Sequence, residues 1–241
     1  MKRAALTALA LLAALPAAAQ APQLAPFSTA EPGPPPPPWE LPTLPKLPKH
    51  TRFEIADIDG TRALRAEADA SYANLLTPVE PALGQRPILT WRWRVDAFPA
   101  GADLRRKQGD DTAARLCVLF DVPDARLAFG VRMQLKLGRT LFDPALPAAS
   151  ICYVWDEKLA AGTSLPNAYT DRVRMIVLRQ GGPGQWADER RDVQADFARA
   201  FPSEAAGGFR PRIAAIGIAN DGDNTGGSSR AWFGDAKLLD P

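Results

Sequence analysis

In the stretch ILTWRWRVDAF, Leu89, Trp91, Trp93 and Val95 alternate with Thr90, Arg92, Arg94 and Asp96. Side chains on a strand project to opposite faces with period two, so this pattern specifies a ribbon with one buried face and one wetted face. ARLCVLFDV alternates in the same way, with Leu116, Val118 and Phe120 set against Arg115, Cys117 and Leu119. DRVRMIVLRQG sets Val173, Met175 and Val177 against Arg172, Arg174 and Ile176. ICYVWDE, RIAAIGIAND and SRAWFGDAKLL read as further strands, with Gly, Pro, Asn and Asp between them. One short helix is predicted in RRDVQADFARAF, where Val193, Phe197 and Phe201 recur every four residues and Pro202 ends the run. No βαβ repeat is visible. The expected fold is all-β, an antiparallel β-sandwich of jelly-roll type with one short helix; a closed barrel is the alternative.

Three segments are expected. Residues 1–19 carry Lys2 and Arg3, a short apolar run interrupted by Pro16, and Ala17-Ala18-Ala19, the pattern of a secretory signal peptide. Residues 20–48 are dominated by proline, including Pro34 to Pro38, and read as a semi-rigid polyproline tether. Residues 49–241 are long enough for one domain with a sizeable core. Export implies a periplasmic or secreted protein that is not integral to the membrane once the leader is removed. Without Lys2 and Arg3 the 29 basic residues become 27 against 27 acidic, so charge offers nothing to nucleic acid. Cys117 and Cys152 lie mid-strand; an oxidising compartment permits a disulfide, and two buried thiols are the alternative. Oligomeric state is not legible.

The chemistry is narrowed mostly by exclusion. His50 is the single histidine and sits beside the proline tract, a poor place for a Ser-His-Asp or Cys-His arrangement. Zinc ligands are scarce, and no nucleotide-binding motif is present. Carboxylates and oxygen-ligated metals remain. Asp221-Gly222-Asp223-Asn224-Thr225-Gly226 imitates the start of a calcium loop, but Trp232 stands at the twelfth position, where that loop needs glutamate. The readings of this loop are a turn with local Asp and Asn bonds, a non-helical calcium site, or direct ligand contact. Asp110 and Asp111 precede a strand and point apart as neighbours; either could pair with Glu189, Asp221 or Asp223. Arg92, Arg94, Arg115, Arg172 and Arg174 oppose their strands' apolar rows. They would form an anion-gripping patch if their strands adjoin, or a ladder of ion pairs with Asp96, Asp111, Asp171 and Glu189. Tyr153, Trp155 and Trp186 would stack on a sugar ring if exposed, and otherwise belong to the core or anchor loops.

LTWRWRV, GDDTAARLCVLFD, YVWDE, DRVRMIVLRQG, QWADERRDVQADFARAF and IGIANDGDNTGGSSRAWFGDAKL, in that order, resemble the bacterial family known only as domain of unknown function 3047. The resemblance covers about residues 52–239 and implies an exported protein without an established activity. WFGDAKLL is also similar to the last strand of galactose-binding-like jelly rolls, among them many carbohydrate-binding modules. That likeness implies a possible structural calcium, with Asp235 a ligand and Glu54 and Asp57 as partners. The expectation is therefore a non-catalytic exported sandwich that binds a glycan, an anionic small ligand or another polar envelope component. Its candidate contacts are Arg92, Arg94, Asp111, Arg115, Tyr153, Trp155, Arg174, Glu189, Asp221, Asp223 and Asn224. A carboxylate-dependent glycan hydrolase or lyase, and a structural partner in an envelope complex, are the alternatives.

Overall fold

The computed structural model describes residues 23–42, 49–141 and 146–241. The signal peptide expected at residues 1–19 lies outside them. Twelve strands form two six-stranded sheets among the described residues. Sheet A joins β1 (Arg52–Ile58), β2 (Thr61–Asp69), β4 (Ile88–Ala97), β9 (Trp186–Asp192), β11 (Ser228–Phe233) and β12 (Lys237–Leu239). Its order is β1-β2-β11-β4-β12, with β9 pairing β4 as well. Sheet B runs β3 (Tyr72–Pro78), β10 (Arg212–Asp221), β5 (Ala114–Asp121), β6 (Ala149–Asp156), β8 (Thr170–Gln180) and β7 (Ser164–Asn167). The β1–β2 hairpin turns on Asp59 (φ 50°) and Gly60 (φ 73°), the left-handed pair that a two-residue turn requires.

The fold is a jelly-roll β-sandwich, and the alternation in β4 fixes its faces. Trp91 and Trp93 are buried between the sheets, while Arg92 and Arg94 lie half-buried on the outer face of sheet A. The two layers meet through aromatic pairs: Trp91 stacks on Tyr153 of β6 at 5.2 Å, and Trp93 meets Trp155 at 5.8 Å. Leu64, Val118, Phe120, Ile216 and Phe233 complete the same core. One pairing departs from the antiparallel expectation. β6 and β8 are parallel, because the connection between them contains β7, which hairpins onto β8 and takes the sheet edge.

The predicted helix is present as α2 (Val193–Ala200), capped by Asp192, whose side chain accepts from the N–H groups of Gln194 and Ala195. It buries Phe197 against Phe120 at 4.9 Å. A second helix was not expected: α1 (Phe129–Leu141) lies between β5 and β6. Its sequence places Leu127, Phe129, Val131, Met133, Leu135 and Leu137 at alternate positions, a strand-like pattern that masks the four-residue recurrence of Phe129, Met133 and Leu137.

Two further expectations need correction. The tether reading does not describe residues 23–42, which pack on the sandwich. Phe27 and Trp39 are buried with ring centroids 5.0 Å apart, and Gly33 and Glu40 form backbone bridges to Ile55 and Leu76. The β8 faces are also the reverse of a simple inside–outside split. Met175 packs with Leu104, Cys152 and Val154 in a small second core on the outer side of sheet B. Arg172 and Arg174 share a face with Ile176 and Leu178, which pack on the main core. The second core contains a disulfide: Cys117 and Cys152 are direct partners on β5 and β6, with Cα atoms 4.0 Å apart and a sequence separation of 35.

Candidate functional site

Sheet B carries a polar cluster on the outer face of β5. The loop before β5 and the loop after β10 interlock there. Asp111 is fully buried and has both oxygens engaged: Oδ1 accepts from the Asn224 N–H and side-chain amide, each at 3.1 Å. Its Oδ2 accepts from the Thr225 N–H at 2.8 Å and hydroxyl at 2.6 Å. Asp221 is equally consumed. Its Oδ1 accepts from the N–H of Thr112 and, at 2.9 Å, from the Thr112 hydroxyl, while Oδ2 pairs with the Arg115 guanidinium. These two acids staple loop to loop, which is the turn reading of the glycine-rich segment, with non-local partners in place of local ones. Gly222 is required at this junction, since a Cβ would lie 2.3 Å from the Gly227 carbonyl oxygen.

Around the staples stand groups that are not fully used. Asp110 accepts from Asn167 at 2.7 Å through Oδ2, but its buried Oδ1 has no partner. Arg115 is buried and its Nε–H also lacks one. The Tyr72 ring lies 6.0 Å from the Arg115 guanidinium carbon. Tyr169 is 57% exposed, and its hydroxyl donates to Asn224 Oδ1 at 2.8 Å. Asp223 is exposed at the rim.

Burial sets the protonation of this cluster. It pushes Asp221 up to about 7, against the pull of Arg115 and the Thr112 N–H. Burial also raises Asp110, opposed by Arg115 and Asn167, and raises Asp223, with the charge of Asp111 adding to the effect. Desolvation works against the charge of Arg115, but Asp221, Tyr72, Asp110 and Asp111 outweigh it and hold the guanidinium protonated. The cluster thus has one fixed cation, and Asp110, Asp221 and Asp223 take protons more readily than ordinary carboxyls.

The structure gathers five of the eleven candidate contacts here: Asp111, Arg115, Asp221, Asp223 and Asn224. The arginines do not form one patch, because β4 belongs to sheet A and β5 and β8 to sheet B. Arg94 pairs with Asp96 at 2.6 Å and Asp59 at 2.9 Å, and Arg92 lies 4.3 Å over Trp186. Arg174 is half-buried on β8 with its Nε unpaired. Tyr153 and Trp155 are buried core residues and offer no platform. Glu189 accepts from Trp93 Nε1 at 3.1 Å and Arg179 Nε at 2.7 Å, closing the seam between β9 and β8.

The expected calcium trio does not come together either. Asp235 accepts from the N–H groups of Phe27 and Ser28 at 2.7 and 2.9 Å and from the Ser28 hydroxyl at 2.6 Å. Glu54 is paired with Arg52 and Arg65, and Asp57 faces Arg62 at 3.7 Å. Among the described residues no group of three or more His, Cys, Asp or Glu could hold a metal ion.

Sequence reasoning passed over Tyr72, Asn167 and Tyr169, which reach the site only through the β3–β10 pairing and the β7–β8 turn. It also missed Asp196, buried beneath Tyr153 and clamped by Arg191 at 2.6 Å. Burial pushes Asp196 up, but the hydrogen bonds of Arg191 and Tyr153 outweigh it and hold its carboxyl low. A separate open cleft of about 630 Å³ is lined by Lys49, His50, Arg52, Glu67, Asp69 and Arg230, among others. Its charges largely satisfy one another: Lys49 faces Asp69 at 3.6 Å, and Arg230 bonds Glu67 at 2.6 Å.

Fold and site together define a β-sandwich with a buried arginine–carboxylate cluster under its loops. The chain belongs to the family described as "Protein of unknown function (DUF3047)", whose profile matches residues 37–237. No curated protein matches the chain in sequence at a significant level. Among solved structures it is similar to the glycoside hydrolase domain of Endo-D from Streptococcus pneumoniae R6, at 10% identity and a TM-score of 0.33. That match covers 84% of this chain and only 22% of the other, so the chain spans about a fifth of its length. It is also similar to a thermostable cellulase derived from Cel12A of Rhodothermus marinus, at 12% identity, TM-score 0.40, and 77% and 85% coverage. A family 12 xyloglucanase from Bacillus licheniformis follows at 9% identity, TM-score 0.39, and 78% and 84% coverage. At these values the likeness concerns the general architecture only. No described helix is long and apolar enough to cross a membrane, which leaves strand-built spans unaddressed.

Proposed function

We propose that the protein is an exported, non-catalytic β-sandwich that binds a glycan or similar polar envelope ligand at the Asp110–Arg115 cluster. One observation carries this reading. A buried acceptor, Asp110 Oδ1, and a buried donor, Arg115 Nε–H, are both unpaired in one cluster. Unsatisfied buried polar atoms are costly, and a hydroxyl can donate to the first and accept from the second. Polyhydroxylated ligands present such groups in series. Tyr169 supplies an exposed aromatic face beside them, suited to the apolar face of a sugar ring. Titration calorimetry against neutral and acidic oligosaccharides tests the proposal. Binding to at least one class is expected, weakened about ten-fold or more in Asp110→Ala and in Tyr169→Ala, consistent with the loss of a charge-assisted bond or a stacking face. Binding to none, or binding indifferent to both substitutions in folded protein, would overturn it.

A carboxylate-dependent hydrolase or lyase is the second reading. It is favoured by the raised proton affinity of Asp110 and Asp223, since a general acid must hold its proton near neutral pH. Asp111 and Asp221 are spent on loop contacts, so this mechanism would rest on Asp110 and Asp223 alone. Product release from a polysaccharide panel, abolished by Asp223→Asn, would decide for it.

A further inference from the structure

Among the described residues, helix α1 presents one apolar arc without a partner. Leu135 is buried and Val131 half-buried against the main core, and Arg139 ties the helix down through the Leu146 carbonyl at 3.0 Å. Gly138 lies so close to this seam that a Cβ would meet Leu146 at 2.9 Å. With that side fixed, Phe129, Met133 and Leu137 point the other way, 71%, 50% and 59% exposed. Spaced four apart, they form a single stripe along the helix. Arg132 and Lys136 fall on its flank, and Arg132 sits 5.8 Å from the Phe129 ring. Neither cation has a carboxylate partner among the described residues. Of the four cations between Asp124 and Asp143, Arg126 donates to the Glu204 and Ala206 carbonyls and Arg139 faces Asp124 at 3.9 Å, so Arg132 and Lys136 are the pair that borders the stripe.

We infer that α1 docks the sandwich onto an anionic lipid surface. An apolar stripe bordered by cations on a surface helix is the form of an interfacial helix. Its rings and alkyl chains enter the headgroup boundary, and its cations stay with the lipid phosphates. Charge selects the occupant: a protein partner would need its own acidic rim around an apolar pocket, whereas an anionic bilayer supplies both continuously. The three side chains cover a narrow strip, so attachment is reversible and depends on both apolar contact and charge. The inference is independent of the ligand cluster on sheet B.

The test uses the full chain with Leu137→Cys labelled by an environment-sensitive fluorophore, the native cysteines being paired with each other. The label reports on α1 alone, whatever the N-terminal segment does. A blue shift is expected on phosphatidylglycerol vesicles. It should be absent on phosphatidylcholine and reversed by about 0.5 M NaCl, where screening is strong. Arg132→Glu with Lys136→Glu should weaken the response on the order of ten-fold or more. No shift on phosphatidylglycerol, or an equal shift on both lipids, would overturn the inference. So would a dimer in sedimentation velocity that Leu137→Ser dissociates, since the stripe would then face a second copy.

Discussion

At Asp221 two opposing demands meet in one side chain. Burial favours the neutral acid, while Arg115 and Thr112 favour the carboxylate, and the outcome is a group poised at about 7. The unfolded chain releases that proton near 3.8, so between these values the folded protein holds a proton the unfolded one does not. The contribution of Asp221 to stability therefore falls as pH rises from about 4 to about 7, and Asp110 and Asp223 act in the same direction. Urea unfolding across this range should show a flatter pH slope in Asp221→Asn than in the parent. Asp196 behaves oppositely: its contribution is present above its unfolded value and fades as pH falls through its lowered folded value. Removing the counter-ion is the harsher change. Arg115→Met leaves Asp221 buried and uncompensated and should lower unfolding free energy by about 3–5 kcal/mol. Gly222→Ala should cost roughly 1–3 kcal/mol by forcing a Cβ onto the Gly227 carbonyl, measured the same way.

Between elements, the β5–β6 pairing decides more than either strand does alone. It brings Cys117 opposite Cys152 and seats the disulfide in the small outer core under Leu104. Closing a loop of this length removes freedom from the unfolded chain worth roughly 2–4 kcal/mol. Reductant, or a Cys117→Ser and Cys152→Ser pair, should lower the urea midpoint correspondingly without loss of strand content by circular dichroism. The two helices show opposite sides of pattern reading. In α2 the four-residue spacing of Val193, Phe197 and Phe201 matches the helix period and the helix was legible. In α1 the apolar residues alternate, so a helix must scatter them around its circumference, leaving some buried and some exposed. That mismatch hid the helix and also produced its exposed stripe.

Across the whole molecule, the N-terminal proline-rich stretch behaves as a strap on the sandwich. Asp235, at the far end of the chain, accepts from Phe27 and Ser28 and so ties one terminus to the other. Asp235→Ala leaves those donors without a partner and should cost about 1–3 kcal/mol. Limited proteolysis should then cut between residues 23 and 42 faster than in the parent while the sheets remain intact. The sandwich and the facing of Trp91 and Trp93 were readable because strand alternation is a local property: each residue's side is set by its neighbour's. Asp111, Asp221, Asp223 and Asn224 were readable as residues, since segments rich in Asp, Asn and Gly announce themselves, and Arg115 was readable from its place opposite the apolar row of its strand. Which strands adjoin was not readable, because register and sheet order depend on partners distant in sequence. That separated Arg92 and Arg94 from Arg115, turned Arg174 toward the main core, buried Tyr153 and Trp155, and gave Asp235 to a strap in place of a cation. Local alternation determined the ribbons and which residues share a face, and in β4 the wide apolar row also marked the inner side; long-range pairing decided which face of β8 turns inward and what the ribbons bring together, because only the assembled sheets place residues a hundred positions apart within bonding distance.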